Sequence, residues 1–256
     1  MGWSVTAGRL ADDGRAVPLL TLDNLTKSYG ALTVTDGVSL EVAQGEIVGI
    51  LGPNGAGKTT LFNLIAGTVK PNSGRVLFQG QDVSGLDAAA RCRMGISRSF
   101  QIPHPFGGMT VFENILVGAT FGRPGKLDAA TRAAQVLQLT GLGRRANDRA
   151  GSLTLLERKR LEMARALATD PSLLLLDEIA GGLTERECLA LLDAVRAVHA
   201  TGVTIVWIEH VVHALLSVAQ RLVVVDFGRK IADGLPADVL ASKDVQSVYM
   251  GAEEHV

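Results

Sequence analysis

The chain has 256 residues, 47% of them hydrophobic, which is enough for a sizeable core and too apolar for global disorder. Its 25 Lys and Arg against 26 Asp and Glu leave a net charge of −1, which argues against a protein that holds nucleic acid mainly by bulk charge. Aromatic residues make up 4% while glycine reaches 29, a balance that suits an α/β domain better than an all-β one.

Residues 1–17 lack the apolar segment of a signal peptide. Gly2 and Thr6 match a short myristoylation pattern, but the segment reads as a plain flexible tail. From Pro18 the chain alternates strand and helix signals. Leu20 and Leu22, then Val38, Leu40 and Val42, alternate with polar residues as half-buried strands do. Residues 46–51 are apolar almost throughout, as in a strand covered on both faces. A glycine-rich turn follows, then a helix over 59–66 ended by Gly67, and a short strand over 75–79. Residues 101–156 open irregularly, at Pro103, Pro105, Gly107 and Gly108, and continue as helices over 111–117 and 129–140. Beyond them the pattern gives helices over 158–168 and 185–200. Strands are expected over 172–176, 203–208 and 222–225, the last turning at Gly228 into 230–232 as a hairpin. No stretch approaches the roughly 20 apolar residues of a membrane helix. Two cysteines, Cys92 and Cys188, provide neither a disulfide framework nor a zinc site unaided.

The strongest motif is Gly52-Pro53-Asn54-Gly55-Ala56-Gly57-Lys58-Thr59, which fits G-x-x-x-x-G-K-[ST] between a predicted strand and a predicted helix. Glycines let backbone N–H groups curl around phosphate oxygens, and the helix that follows points its free N–H groups and positive dipole end at the same anion. Lys58 adds charge for the terminal phosphates. Thr59 can ligate Mg²⁺ through its hydroxyl, and Thr60 is placed for a phosphate nearer the ribose. About 120 residues later, four leucines lead into Asp177-Glu178. A carboxylate at the end of a buried strand can hold Mg²⁺, and the next can polarise a water for in-line attack on a γ-phosphate. The pair therefore reads as Asp177 for the metal and Glu178 for the base.

Phosphate loop, Gln101, the segment 153–157, Asp177-Glu178 and His210 fall in the order and spacing of ABC-type ATPase subunits. The resemblance runs from Leu19 to Gly251. It is most specific for the ATP-binding subunits of branched-chain amino acid importers. Stretches that look like that family are Leu25-Thr-Lys-Ser-Tyr-Gly-Ala-Leu32, Gly95-Ile-Ser-Arg-Ser-Phe-Gln101, Met109-Thr-Val-Phe-Glu-Asn-Ile-Leu116 and Asp226-Phe-Gly-Arg-Lys-Ile-Ala-Asp-Gly234. The resemblance implies a P-loop NTPase fold of class α/β, a RecA-like core with an N-terminal antiparallel β subdomain and a helical signature-motif subdomain. The expected division is 18–100 and 161–256 for the core and 101–160 for the helical part.

By the same resemblance, Tyr29 stacks on adenine, Gln101 reaches Mg²⁺ and the attacking water, and His210 contacts the γ-phosphate. Thr154 and Glu157 belong to the segment that touches ATP held by a second subunit. The implied ligands are ATP and Mg²⁺. The implied partners are a second ABC ATPase subunit in a homo- or heterodimer, transmembrane permease subunits and, indirectly, a solute-binding protein, with no nucleic acid. The implied place is the cytoplasmic face of the inner membrane. The chain departs from the family at Leu155 and Leu156, where two glycines are usual, and at Ile179 and Thr184, where proline and Asp or Asn are common. The two leucines leave unequal ATP sites as an expectation, whereas Ile179 and Thr184 bear on the geometry of the dimer interface and not on the nucleotide site. A non-transport ATPase of this fold and a regulatory ATP-binding module remain as alternatives.

Overall fold

In the computed structural model, which describes residues 17–125 and 127–250, the predicted strands at the start of the chain are long. β1 (Leu20–Tyr29) and β2 (Leu32–Val42) form an antiparallel hairpin, extended by β4 (Ser73–Phe78) and β5 (Gln81–Asp82) in the order β2-β1-β4-β5. Between them in the chain lie β3 (Ile47–Leu51) and α1 (Lys58–Ala66), the latter ended by Gly67 in a left-handed conformation. The flexible tail expected over 1–17 lies outside the described residues, apart from Val17.

The chain continues through α2 (Ala88–Met94) and β6 (Ile96–Arg98) into α3 (Val111–Phe121), α4 (Ala129–Leu139) and α5 (Leu155–Ala168). Then come β7 (Leu173–Asp177), α6 (Glu185–His199), β8 (Thr204–Ile208), α7 (Val212–Leu216), β9 (Arg221–Asp226), β10 (Arg229–Gly234), α8 (Pro236–Ala241) and α9 (Lys243–Met250). The second sheet has the order β10-β9-β3-β8-β7-β6, parallel except for the β9–β10 hairpin.

The uninterrupted apolar runs of β7 and β8 are explained by what covers the sheet. Leu173, Leu175, Val206 and Ile208 face a core shared with α1 and the four-stranded sheet. Leu174, Leu176, Ile205 and Trp207 face a second core shared with α3 to α6. With both faces dry, alternation has nothing to mark. Helices α3, α4 and α5 pack on one another. α5 starts at Leu155, three residues before the expected helix, because Thr154 and Glu157 form a capping box there. α5 also runs unbroken through residue 160, so the expected boundary at 160/161 falls inside it.

Candidate active site

Four adjacent parallel strands, β3, β8, β7 and β6, deliver their carboxyl ends to one edge of the sheet. That edge is where open α/β sheets place ligands. β3 leads into the glycine-rich loop, β8 into Glu209-His210, β7 into Asp177-Glu178 and β6 into the segment that reaches Gln101.

The loop is shaped by steric necessity. Gly52 has φ 154° and Gly57 has φ 98°, and a Cβ on either would stand 2.1 Å and 2.3 Å from the carbonyl oxygens of Val225 and Val34. No side chain caps the N-terminus of α1, which begins after Gly57 at Lys58. Its first N–H groups therefore point, uncapped by the protein, into the loop that Pro53, Asn54, Gly55 and Ala56 complete. Lys58 is buried, and its ammonium donates to the carbonyl oxygens of Gly52 and Pro53 at 2.7 and 2.8 Å. Burial pushes its pKa down, opposed by the charges of Glu178 and Asp177, which places both carboxylates within electrostatic reach of the loop. Thr59 is exposed and Thr60 half-buried on the first turn of α1.

Glu178 sits in a left-handed backbone conformation, φ 47°, with its N–H donating to Ile208 O at 2.8 Å. Its carboxylate accepts a hydrogen bond from the Gln101 amide, and His210 Nδ1 lies 3.6 Å from it. The structure thus brings together Gln101, Glu178 and His210, which stand far apart in the chain. Tyr29 is half exposed at the tip of the β1–β2 hairpin, with the Lys27 ammonium 5.2 Å from its ring centroid. Val34, on the same hairpin, touches the glycine-rich loop at Gly57.

Thr154 and Glu157 lie elsewhere, at the start of α5. The Glu157 carboxylate accepts from the Thr154 N–H at 2.9 Å and is gripped by Arg145 at 2.8 and 3.2 Å. The Arg145 guanidinium, with the Thr154 bonds adding to it, outweighs partial burial and holds Glu157 at about 2. Leu155 is 43% exposed, whereas Leu156 packs on the helical core. Thr184, the other departure, caps α6 in a box with Glu187, a role that Asp or Asn fills equally well.

Three residues not assigned a role from the sequence also lie at this edge. Arg98 donates to Asp177 Oδ2 at 2.6 Å and to Asn63 Oδ1 at 2.5 Å. Glu209 is fully buried, and its carboxylate accepts from the N–H groups of Ala180, His210 and Val211 at 2.9, 3.1 and 3.3 Å. The buried Lys159 donates to Glu178 O at 3.2 Å. The residues expected to hold a divalent cation, Thr59, Gln101 and Asp177, supply hard oxygen donors. Among the described residues no cluster of three or more His, Cys, Asp or Glu offers an all-protein cage. That donor set fits Mg²⁺, which takes few protein ligands and completes its shell with phosphate and water.

A glycine-rich loop opening a helix at the carboxyl edge of a parallel sheet, with an Asp-Glu pair two strands away, defines a P-loop nucleotide triphosphatase. Residues 35–181 match the ABC transporter family model. The chain is 37% identical to the high-affinity branched-chain amino acid transport ATP-binding protein LivG of Escherichia coli, over 91% of this chain and 98% of that protein. It superimposes on a solved ATP-binding cassette of an ABC transporter in its ADP conformation with TM-score 0.84 and 31% identity, covering 92% of this chain and 100% of that one. A dimeric ATP-binding cassette bound to ADP and phosphate gives TM-score 0.75 and 25% identity, covering 84% of this chain and 98% of that one. The chain belongs to the ABC transporter family and is an ATPase.

Proposed function

We propose that the chain is the ATP-hydrolysing subunit of an importer for branched-chain amino acids or related small amino-acid-like or amide solutes. The observation that carries this reading is the likeness to LivG over nearly the full length of both chains. Among the described residues no helix is long and apolar enough to cross a membrane. Transport therefore needs transmembrane permease partners, on whose cytoplasmic side this subunit sits, fed by a solute-binding protein. The dimeric relative supports a second ATPase subunit as the direct partner.

In this reading the glycine-rich loop and the uncapped end of α1 hold the ATP phosphates, Lys58 neutralises their charge, and Tyr29 stacks on the adenine. Thr59, Asp177 and Gln101 hold Mg²⁺, which supplies charge neutralisation of the phosphates when bound. Glu178 takes the proton of the attacking water as a carboxylate base, Gln101 orients that water, and His210 donates to the γ-phosphate. The α5 end, with Thr154 and Glu157, faces the nucleotide of the partner subunit. In a heterodimer with a partner that has glycines there, Leu155 and Leu156 make that site the weaker of the two.

Two measurements test the reading. Glu178→Gln lowers phosphate release by about 10²–10⁴-fold while nucleotide binding persists. The same change in the partner subunit lowers it to a different extent, and equal losses would sink the unequal-sites part. Vesicles carrying the chain with its genomic permease and ATPase neighbours, with the neighbouring solute-binding protein added outside, take up labelled leucine only with ATP inside. If they take up none of the branched-chain amino acids or simple amides, the assignment of solute class is wrong.

A further inference from the structure

Arg98 ends the three-residue strand β6, paired with Leu175, and nothing in the reading above uses it. Its guanidinium is nearly out of solvent, 9% exposed, as is the Asp177 side chain at 4%. The two terminal nitrogens of the fork go to different elements. One donates to Asp177 Oδ2 at 2.6 Å and the other to Asn63 Oδ1, on α1, at 2.5 Å. The rings of Phe62 and Phe100 each lie 5.6 Å from the guanidinium carbon and pack it on the α1 side and the loop side. Asn63 is itself fixed, since its Oδ1 also accepts from the Thr68 hydroxyl at 3.2 Å. A planar fork gripped at both prongs and stacked on aromatic rings has little freedom to turn.

We propose that Arg98 is a positioning residue for the metal site. Its fork ties Asp177 to the helix that follows the phosphate loop, fixes Oδ2, and leaves Oδ1 as the oxygen available to a divalent cation. The inference rests on the reading of Asp177 as a metal ligand. Two effects of Arg98 on that cation oppose each other. Its positive charge repels a metal, whereas its geometry orders the carboxylate. A buried partner that orients a ligating carboxylate is worth about 10–100-fold in metal affinity, and we infer that geometry wins. Lysine keeps the charge but is a point donor on a flexible stem. It cannot bridge Asn63 and Asp177 together, so it does not replace Arg98.

The test uses the full chain and a non-hydrolysable ATP analogue, with affinity measured by calorimetry in Mn²⁺ and again in EDTA. The ratio of the two affinities is the gain due to the metal. In Arg98→Met and Arg98→Lys this ratio falls about tenfold or more, while affinity in EDTA stays within about twofold of wild type. Asn63→Leu removes the far anchor and leaves both charged partners, so it lowers the ratio in the same direction by less. It decides the matter if the Arg98 variants do not fold. A wild-type chain that gains nothing from Mn²⁺ refutes the reading of Asp177 itself. A wild-type gain that persists in Arg98→Met, is enlarged there, or is restored by Arg98→Lys overturns only the role of Arg98. Affinities that fall together with and without metal mark a merely structural residue and overturn it too.

Discussion

Two helix N-termini in this molecule carry the residues expected to meet phosphate, and they are built in opposite ways. α1 begins on a glycine in a left-handed conformation, has no side-chain cap, and has an ammonium, Lys58, folded back onto its own loop. α5 begins on Thr154 and is closed by its own carboxylate, Glu157, which Arg145 holds in place. A helix end offers N–H groups and positive potential to whatever anion arrives first. At α1 the chain supplies no such anion, and at α5 it supplies one itself. Where the family has two small residues, α5 also carries Leu155 and Leu156, one exposed and one partly buried against the core. The first end leaves its N–H groups open to an external anion, whereas the second is closed as a stable helix terminus.

The sharpest way to break this contrast is Lys58→Ala. It removes the Lys58 ammonium from the open end, and ATPase activity measured by phosphate release falls by about 10²–10³-fold, with nucleotide binding weakened as well. Activity near wild type would mean that α1 is not the phosphate-receiving end.

The next test opens the closed end. Leu155→Gly together with Leu156→Gly restores small residues where the partner's nucleotide is expected. ATPase activity of the assembled complex rises, while chemical denaturation shows a loss of stability that comes mostly from Leu156, which gives up its packing on the helical core. A fall in activity beyond what this instability explains would show that the leucines serve the site rather than obstruct it.

The smallest effect concerns the built-in anion. Glu157 is lowered from 4.5 to about 2, so its ionised form stabilises the fold above pH 4.5, and that contribution drains away as pH falls toward 2. Arg145 is 40% exposed, so solvent screening keeps the contribution small. Thermal melts of wild type and Glu157→Gln should differ most near neutral pH and converge at pH 2. Parallel curves across that range would remove the charge from the account.

What the sequence disclosed follows the same division. The phosphate loop was legible because glycine is required wherever a Cβ would strike a carbonyl, as at Gly52 and Gly57, and such requirements leave a fixed spacing. Asp177 and Glu178 were legible because a run of leucines announces a buried strand and its end. β6 was not. Its three residues, Ile96, Ser97 and Arg98, are too few for a period, and two are polar. Arg98 and Glu209 escaped because a charged side chain near a strand end looks solvated until its partners are known, and those partners lie far along the chain. The meeting of Gln101 with Glu178 is likewise a product of strand order in the sheet, which no local pattern encodes.

Glu209 carries one more consequence. A single carboxylate holds the N–H of Ala180, after β7, together with those of His210 and Val211, after β8. The two loops are thus riveted at one point inside the protein, so Glu178 and the histidine facing it keep their spacing as a unit. Whatever shifts one loop carries the other along, and the residues proposed to surround the γ-phosphate keep time as one moving part rather than two.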